Sequence, residues 1–333
     1  MDDGQPVPLH GLLQDRRKHP RRCRSKHSRG SAPAGRHPLM RPFQLHQPEG
    51  LDEALSLLEQ YGTDDAHLIA GGTSLMLLMN LGLIEPSRVI SLRRVSALRG
   101  VAAKNGGAVL EIGPLTTHRQ VELSPAVRAY CGALGETFGH VATVRIRNQG
   151  TIGGNLAHAD PAQDPPPMLI ALGAEVTLTS RKGQRRLPLD QFFVDYLTTV
   201  MEPGEILTAI HLPPLPSGTR AAYLKFLPRT HDDYATVSVA ATLRVDGDGR
   251  CEDARLALAG AAGVPLRARA VEDALRGEAL TDQRIADAAA LVLDVVDPPD
   301  DARGSSAYKR RMARVWTERA VRQLRDQANG ARQ

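Results

Sequence analysis

The sequence predicts an α+β protein of two or three packed units, and three observations predict it. The chain has 333 residues, more than one typical core accommodates. Residues 42–92 read as strand, helix, strand, glycine-rich turn, helix and strand, an α/β pattern. Beyond the linker Pro213, Pro214, Leu215, Pro216, Ser217, Gly218, three strand-like runs precede three helical patterns, as in a sheet backed by helices.

The elements follow in order. Phe43, Gln44 and Leu45 form a candidate edge strand, and Leu51, Leu55 and Leu58 then share one helical face, with Gly62 as the stop signal. Residues 67–70 read as a buried strand, 71–74 as a turn, 75–79 as a helix and 88–92 as a strand. Asn105, Gly106 and Gly107 mark a hairpin between strands at 98–103 and 108–113. Helical patterns cover 117–123 and 126–138. The segment 147–155 reads as a second glycine-rich turn ahead of a short helix at 167–172. Strand character returns at 174–179, turning at Arg181, Lys182 and Gly183, and again at 204–212. After the linker come strands at 222–227, 236–245 and 251–259, then helices at 267–275, 284–295 and 308–328.

Composition excludes several classes. A 42% hydrophobic fraction supplies a core, but 4% aromatic residues and one Trp argue against a base-stacking nucleic-acid protein. No apolar run approaches the roughly 20 residues that cross a bilayer, so no membrane span is expected. Cys23, Cys131 and Cys251 stand far apart, which rules out a four-thiolate metal site within the chain and a disulfide framework.

The net charge of +5 is unevenly spread. Residues 1–39 hold nine Arg or Lys and three Asp, a surplus of +6 that leaves the rest near −1. Rich in Pro, Gly and Ser and without aromatics, this stretch buries too little to offset its ordering entropy, so residues 1–39 are expected to be a disordered basic extension. An arm for nucleic acid, a targeting peptide without an apolar core, and a non-functional extension upstream of Met40 all fit; the last is preferred because organised sequence starts only after Met40. No nucleic-acid partner is expected, and a cytoplasmic location is, since no export signal precedes the fold.

The two glycine-rich segments carry the chemistry. Paired glycines let successive backbone N–H groups converge on an anion, and a following helix adds its positive end. Thr73, Ser74, Thr151 and Asn155 place neutral hydrogen-bonding groups beside them. Either segment suits a phosphate, and either alone equally suits a tight turn in an α/β loop. Neither has the Gly-x-Gly-x-x-Gly or Gly-x4-Gly-Lys-Ser/Thr spacing, so nucleotide binding would use another scaffold. His158, Asp160 and Asp164 could ligate a metal, but hard-metal loops bring more oxygen donors, and this Pro-rich block equally suits carboxylates that cap helices or accept ribose hydroxyls; no metal is expected. His231, Asp232 and Asp233 read as acid/base candidates or as a solvated loop. His118 and His140 read as ordinary helix residues, and no Ser–His–Asp triad or His-Glu-x-x-His appears.

Taken together, Ala70-Gly71-Gly72-Thr73-Ser74-Leu75, Arg145-Ile146-Arg147-Asn148-Gln149-Gly150-Thr151-Ile152-Gly153-Gly154-Asn155, Asp160-Pro161-Ala162-Gln163-Asp164 and Gly204-Glu205-Ile206-Leu207 resemble the FAD-binding medium subunit of molybdenum hydroxylases, the group of the carbon monoxide dehydrogenase and xanthine dehydrogenase flavoproteins. The resemblance implies a two-subdomain FAD-binding fold of the vanillyl-alcohol oxidase/PCMH type, with subdomains at 40–100 and 101–215. It also implies a C-terminal α+β domain at 220–330 with a three-stranded sheet and helices.

By the same resemblance, Ala70, Gly71, Gly72, Thr73, Ser74 and Leu75 would wrap the FAD pyrophosphate from one lobe. Thr151, Ile152, Gly153, Gly154 and Asn155 would grip it from the other. Asp164 would hold the adenosine end, Ile206 and Leu207 would pack near the isoalloxazine, and Lys225 would reach the flavin from the third domain. Tyr223 to Val237, with Arg229, Asp232 and Asp233, resembles the opening of that domain, although Thr230 and His231 stand where the xanthine dehydrogenase branch more often has Arg-Glu.

The implied job is electron transfer. A large molybdopterin-binding subunit would oxidise substrate, a small subunit with two iron–sulfur clusters would pass electrons to FAD, and NAD or a quinone would accept them. A relay needs firm cofactor binding rather than an acid/base dyad, which agrees with the missing triad. Three scattered cysteines also argue against the 4-hydroxybenzoyl-CoA reductase version, whose flavin subunit carries a further cluster. A self-contained flavin oxidase or reductase, and a nucleotide- or nucleic-acid-binding module led by the basic tail, are the alternatives.

Overall fold

The structure, a computed structural model, describes residues 40–227, 230 and 232–330. The expected extension at 1–39, and Arg229 and His231, lie outside the described residues.

The first lobe is β1 (Gln44–His46), α1 (Leu51–Asp65), β2 (Ala66–Ile69), α2 (Leu75–Asn80) and β3 (Arg88–Ser91), with the three strands parallel in the order β1-β3-β2. Parallel neighbours need crossovers, and the two helices supply them. Val89 and Ile90 of the central strand are buried, as are Ala54, Leu55 and Leu58 on the inner face of α1. Gly62, the expected stop, has φ +70°, and a last helical turn follows this kink.

The second lobe begins with the hairpin β4 (Val101–Lys104) and β5 (Val109–Ile112), whose turn puts Asn105, Gly106 and Gly107 all at positive φ. Six short helices follow: α3 (His118–Leu123), α4 (Pro125–Tyr130), α5 (Gly132–Gly139), α6 (Val144–Gln149), α7 (Ile152–His158) and α8 (Pro165–Ala171). Then come β6 (Glu175–Ser180), β7 (Gly183–Pro188), the small pair β8 (Phe193–Asp195) and β9 (Thr198–Thr199), and β10 (Ile206–Leu212). The main sheet is antiparallel in the order β4-β5-β10-β6-β7.

Two expectations need correction here. The continuous helix expected at 126–138 is two helices, because Cys131 is extended at φ −160°, ψ 108°; the break carries the Tyr130 hydroxyl to the Pro213 carbonyl, 2.7 Å away, while Leu134 and Phe138 enter the core. The second glycine-rich turn is mostly helix. Thr151 N-caps α7, its hydroxyl accepting from Gly154 N–H at 3.1 Å, and the cap outweighs the weak helix propensity of Gly153 and Gly154.

The C-terminal sheet runs β11 (Arg220–Phe226), β12 (Val237–Val245), β13 (Cys251–Ala259) and β14 (Leu266–Arg267), all antiparallel. β14 adds a fourth strand to the three expected; two residues are too few to show a period of two. Three helices follow, α9 (Arg269–Leu275), α10 (Asp282–Ala290) and α11 (Ser306–Gly330). β12 is buried on both faces from Val237 to Leu243, which its alternation explains. Val237, Val239, Ala241 and Leu243 pack with the helices' core, whereas Ala240 joins the core of the second lobe and the Thr242 hydroxyl reaches the Ala171 carbonyl of α8. The C-terminal unit thus shares an apolar seam with the second lobe, although the sequence reads it as separate. Among the described residues no helix is long and apolar enough to cross a membrane.

Candidate functional site

A cleft of about 640 Å³ lies where the two lobes and the start of the C-terminal unit meet. One wall is the turn between β2 and α2: Ala70, Gly71, Gly72, Thr73, Ser74 and Leu75 all line it. Gly72 has φ +77°, a conformation that costs an L side chain strain. Ser74 sits at the N-cap of α2 without using its side chain as a cap, which leaves the hydroxyl for other partners.

Gly71 is glycine for a different reason. A Cβ there would stand 2.2 Å from the Gln149 carbonyl oxygen, so the lobes touch backbone to backbone. The Gln149 side chain completes the junction by donating from Nε2 to the Gly71 carbonyl at 2.9 Å.

The opposite wall is the cap and first turns of α7. Thr151, Gly153, Gly154 and Asn155 line the cleft; Ile152 does not, being fully buried in the core behind it. Gly153 N–H donates to the Pro114 carbonyl at 2.8 Å, and a Cβ on Gly153 would lie 2.4 Å from Pro114 Cβ. Its missing side chain therefore seats the helix on Pro114.

Asp164 lines the cleft although it is only 4% exposed. Its Oδ2 pairs with Lys225 Nζ at 3.0 Å and its Oδ1 accepts from the Tyr223 hydroxyl at 2.5 Å. Burial pushes the carboxyl up to about 6, with Lys225 and Tyr223 pulling against that rise. The Lys225 amine also donates to the His140 carbonyl at 2.9 Å. Lys225 does not line the cleft; it comes from the third unit as the resemblance implies, but its ammonium is spent on Asp164 and His140. Ile206 and Leu207 line the cleft at the start of β10. Just before them Arg185 forks onto Glu205 at 2.7 and 2.8 Å, and Glu205 also accepts from Glu202 N–H, which fixes how the strand enters.

Sequence reasoning missed three contributors. His118 lines the cleft from the first residue of α3; burial and the Arg147 charge push its pKa down to about 4, so the ring is neutral near pH 7. The signal was local: Thr117 and Gln120 form a capping box that fixes His118 at the helix start. Gln163 lines the cleft beside Asp164, and Tyr234 lies on its rim with the exposed Asp232 and Asp233. Asp160 also lines it, but its Oδ1 caps the Ala162 N–H at 2.8 Å. Among the described residues no three His, Cys, Asp or Glu side chains gather as metal ligands.

This lining suits a long ligand with apolar and polar parts. Leu68, Ile69, Leu77, Leu78, Ile84 and Ile146 give it apolar surface. Three buried side-chain atoms on it, His118 Nδ1, Asn155 Oδ1 and Gln163 Oε1, have no hydrogen-bond partner among the described residues, and an occupant would satisfy them. FAD, with a flat ring system, hydroxyls and a diphosphate, fits on these counts.

Two family profiles match the chain. One, described as the FAD binding domain in molybdopterin dehydrogenase, matches residues 41–215, and the other, the CO dehydrogenase flavoprotein C-terminal domain, matches residues 222–324. The chain is 34% identical over 279 residues to the 6-hydroxypseudooxynicotine dehydrogenase complex subunit alpha of Paenarthrobacter nicotinovorans, covering 84% of this chain and 93% of that one. It is 35% identical over 279 residues to the carbon monoxide dehydrogenase medium chain of Hydrogenophaga pseudoflava, covering 84% and 96%. A solved carbon monoxide dehydrogenase from Hydrogenophaga pseudoflava superimposes with a TM-score of 0.82 at 36% identity, over 85% of this chain and 97% of that chain. A cleft made by two glycine segments, in a fold shared along nearly its full length with these flavoproteins, leads to one conclusion: the chain belongs to the FAD-binding medium subunits of the molybdenum hydroxylases.

Proposed function

We propose that this chain relays electrons within a multi-subunit molybdenum hydroxylase, from iron–sulfur clusters on a small subunit through its FAD to NAD or a quinone, while a large molybdopterin-binding subunit oxidises the substrate. The observation that carries the reading is the junction of Gly71 with Gln149, 78 residues apart in sequence, which makes one cleft of two glycine segments.

Each residue has a task in this reading. Backbone amides of the turn formed by Ala70, Gly71, Gly72, Thr73, Ser74 and Leu75 address the pyrophosphate, helped by the Thr73 and Ser74 hydroxyls. Thr151, Gly153, Gly154 and Asn155 close on it from the second lobe, and Ile152 anchors that helix from behind. Asp164 takes a hydroxyl of the adenosine end: a carboxylate offers about four acceptor positions, and Tyr223 and Lys225 occupy two. Lys225 orients this carboxylate from the C-terminal unit. Ile206 and Leu207 give the isoalloxazine an apolar surface. Bound FAD would supply uptake of electrons singly and their release in pairs. We take 40–100 and 101–215 as the two cofactor lobes and 220–330 as the unit that closes over them.

The substrate is set elsewhere in this reading. Relatives at 34% and 35% identity are named for 6-hydroxypseudooxynicotine and for carbon monoxide, so similarity along this chain does not track substrate. The test is direct. Purified full-length chain should be yellow and release FAD on denaturation; a colourless preparation that cannot be reconstituted with FAD overturns the reading. Substrate-driven reduction of NAD or a quinone should require the metal-bearing subunits, and turnover by this chain alone would identify a self-contained flavoenzyme instead.

A further inference from the structure

Gln163 stands on a turn held from three sides. Its own N–H donates to the Asp160 carbonyl at 3.3 Å, the neighbouring Ala162 N–H is capped by Asp160 Oδ1, and the Pro161 carbonyl accepts from Gly260 N–H of the C-terminal unit at 2.7 Å. The next residue, Asp164, is fixed by Tyr223 and Lys225. Gln163 is 4% exposed, lines the cleft, and its Oε1 is buried without a partner among the described residues. A rigid, buried, unsatisfied acceptor on a ligand cleft costs free energy unless the ligand satisfies it.

We infer that Gln163 is a cofactor-binding residue whose Oε1 accepts a hydrogen bond from a hydroxyl or N–H group of the bound dinucleotide. The polarity decides which part of the ligand this oxygen meets. A diphosphate near neutral pH offers acceptors only, so Gln163 Oε1 meets a sugar hydroxyl or a ring N–H rather than the pyrophosphate. Asn155 Oδ1, the second orphaned oxygen on this cleft, obeys the same restriction, so Asn155 meets the pyrophosphate through its Nδ2 donors. The pyrophosphate is then left to N–H and O–H donors, and the two amide oxygens fix the register of the ligand along the cleft.

This inference rests on the FAD reading above, and its test separates the two. Full-length chain stripped of flavin is titrated with FAD, FMN and ADP, following flavin fluorescence and, for ADP, displacement of FMN. Gln163→Met removes the acceptor at nearly constant size and should weaken FAD about tenfold, the scale of one hydrogen bond. The same loss should appear with one half-ligand only: with FMN if the donor is on the ribityl or flavin side, with ADP if it is on the adenosine side. Gln163→Glu keeps an acceptor and should retain more affinity than Gln163→Met. Full FAD affinity in Gln163→Met overturns the inference while leaving the FAD reading intact, whereas failure of the unaltered chain to bind FAD sinks the reading itself. Should Gln163→Met fail to fold, the unaltered chain decides with FAD analogues lacking single hydroxyl or ring N–H donors. None binding more weakly than FAD overturns the inference; one weakened analogue whose deficit disappears in Gln163→Ala supports it.

Discussion

Lys225 Nζ lies 3.0 Å from Asp164 Oδ2 in a pair almost closed to solvent, with side chains 2% and 5% exposed. It joins β11 of the C-terminal unit to the N-cap residue of α8, so one buried charge pair ties the third unit to the wall of the cleft.

Removing one partner of such a pair leaves the other charged group without compensation in a poorly solvated site. Lys225→Met should destabilise the flavin-free protein by about 3–5 kcal/mol in denaturant unfolding. Lys225→Met with Asp164→Asn should recover part of that, because the stranded carboxylate is gone. A single substitution no worse than the double one would mean that Tyr223 alone holds Asp164.

The same site makes stability depend on pH. The Asp164 carboxyl is raised to about 6 in the folded protein, above its ordinary value near 3.9. A carboxyl raised on folding binds its proton more readily in the native state. Its contribution is therefore fully present below about pH 4 and lost as the pH rises through about 6. Glu205 and Asp301 act in the opposite sense: burial raises each, but hydrogen bonds from Arg185 and Lys309 win and hold them below the usual carboxylate range. The informative quantity is thus the difference between unaltered protein and Asp164→Asn. The unaltered protein should gain on the variant as the pH falls from about 7 to about 5. A difference that stays flat over that range would refute the shift.

These features were unequally legible in the sequence. Strand β12 announces itself through the largely apolar run from Val237 to Leu243 between the linker and a turn at Asp246 and Gly247. The glycine segment at 70–75 is legible because Gly72 does what glycine signals, adopting positive φ in a turn. Gly153 and Gly154 mislead for a physical reason: paired glycines suggest a turn, whereas here the capping hydroxyl of Thr151 and the close approach to Pro114 favour a helix. All the site residues read from sequence line the cleft except Ile152 and Lys225. What local sequence lacks is the partner of each charge: that Lys225 ends on Asp164, 61 residues away, is a fact of tertiary packing.

The glycines give the last prediction. If Gly153 serves the seat of α7 on Pro114, its replacement must harm the empty protein as much as the loaded one. Gly153→Ala, whose Cβ would press to 2.4 Å on Pro114 Cβ and 2.9 Å on its carbonyl oxygen, should lower the stability of the flavin-free chain by about 1–3 kcal/mol. Gly71→Ala should do likewise by driving the lobes apart at Gln149, where the obstacle is backbone and cannot rotate away. Gly132→Ala, with nothing within 4 Å of its Cβ position and a place at the start of α5, is the control and should be neutral or slightly stabilising. Thermal unfolding of each variant with and without FAD reads the outcome. Equal melting losses in both forms for Gly153→Ala support the seating role, while a loss confined to the FAD-bound form would return Gly153 to the ligand-facing wall.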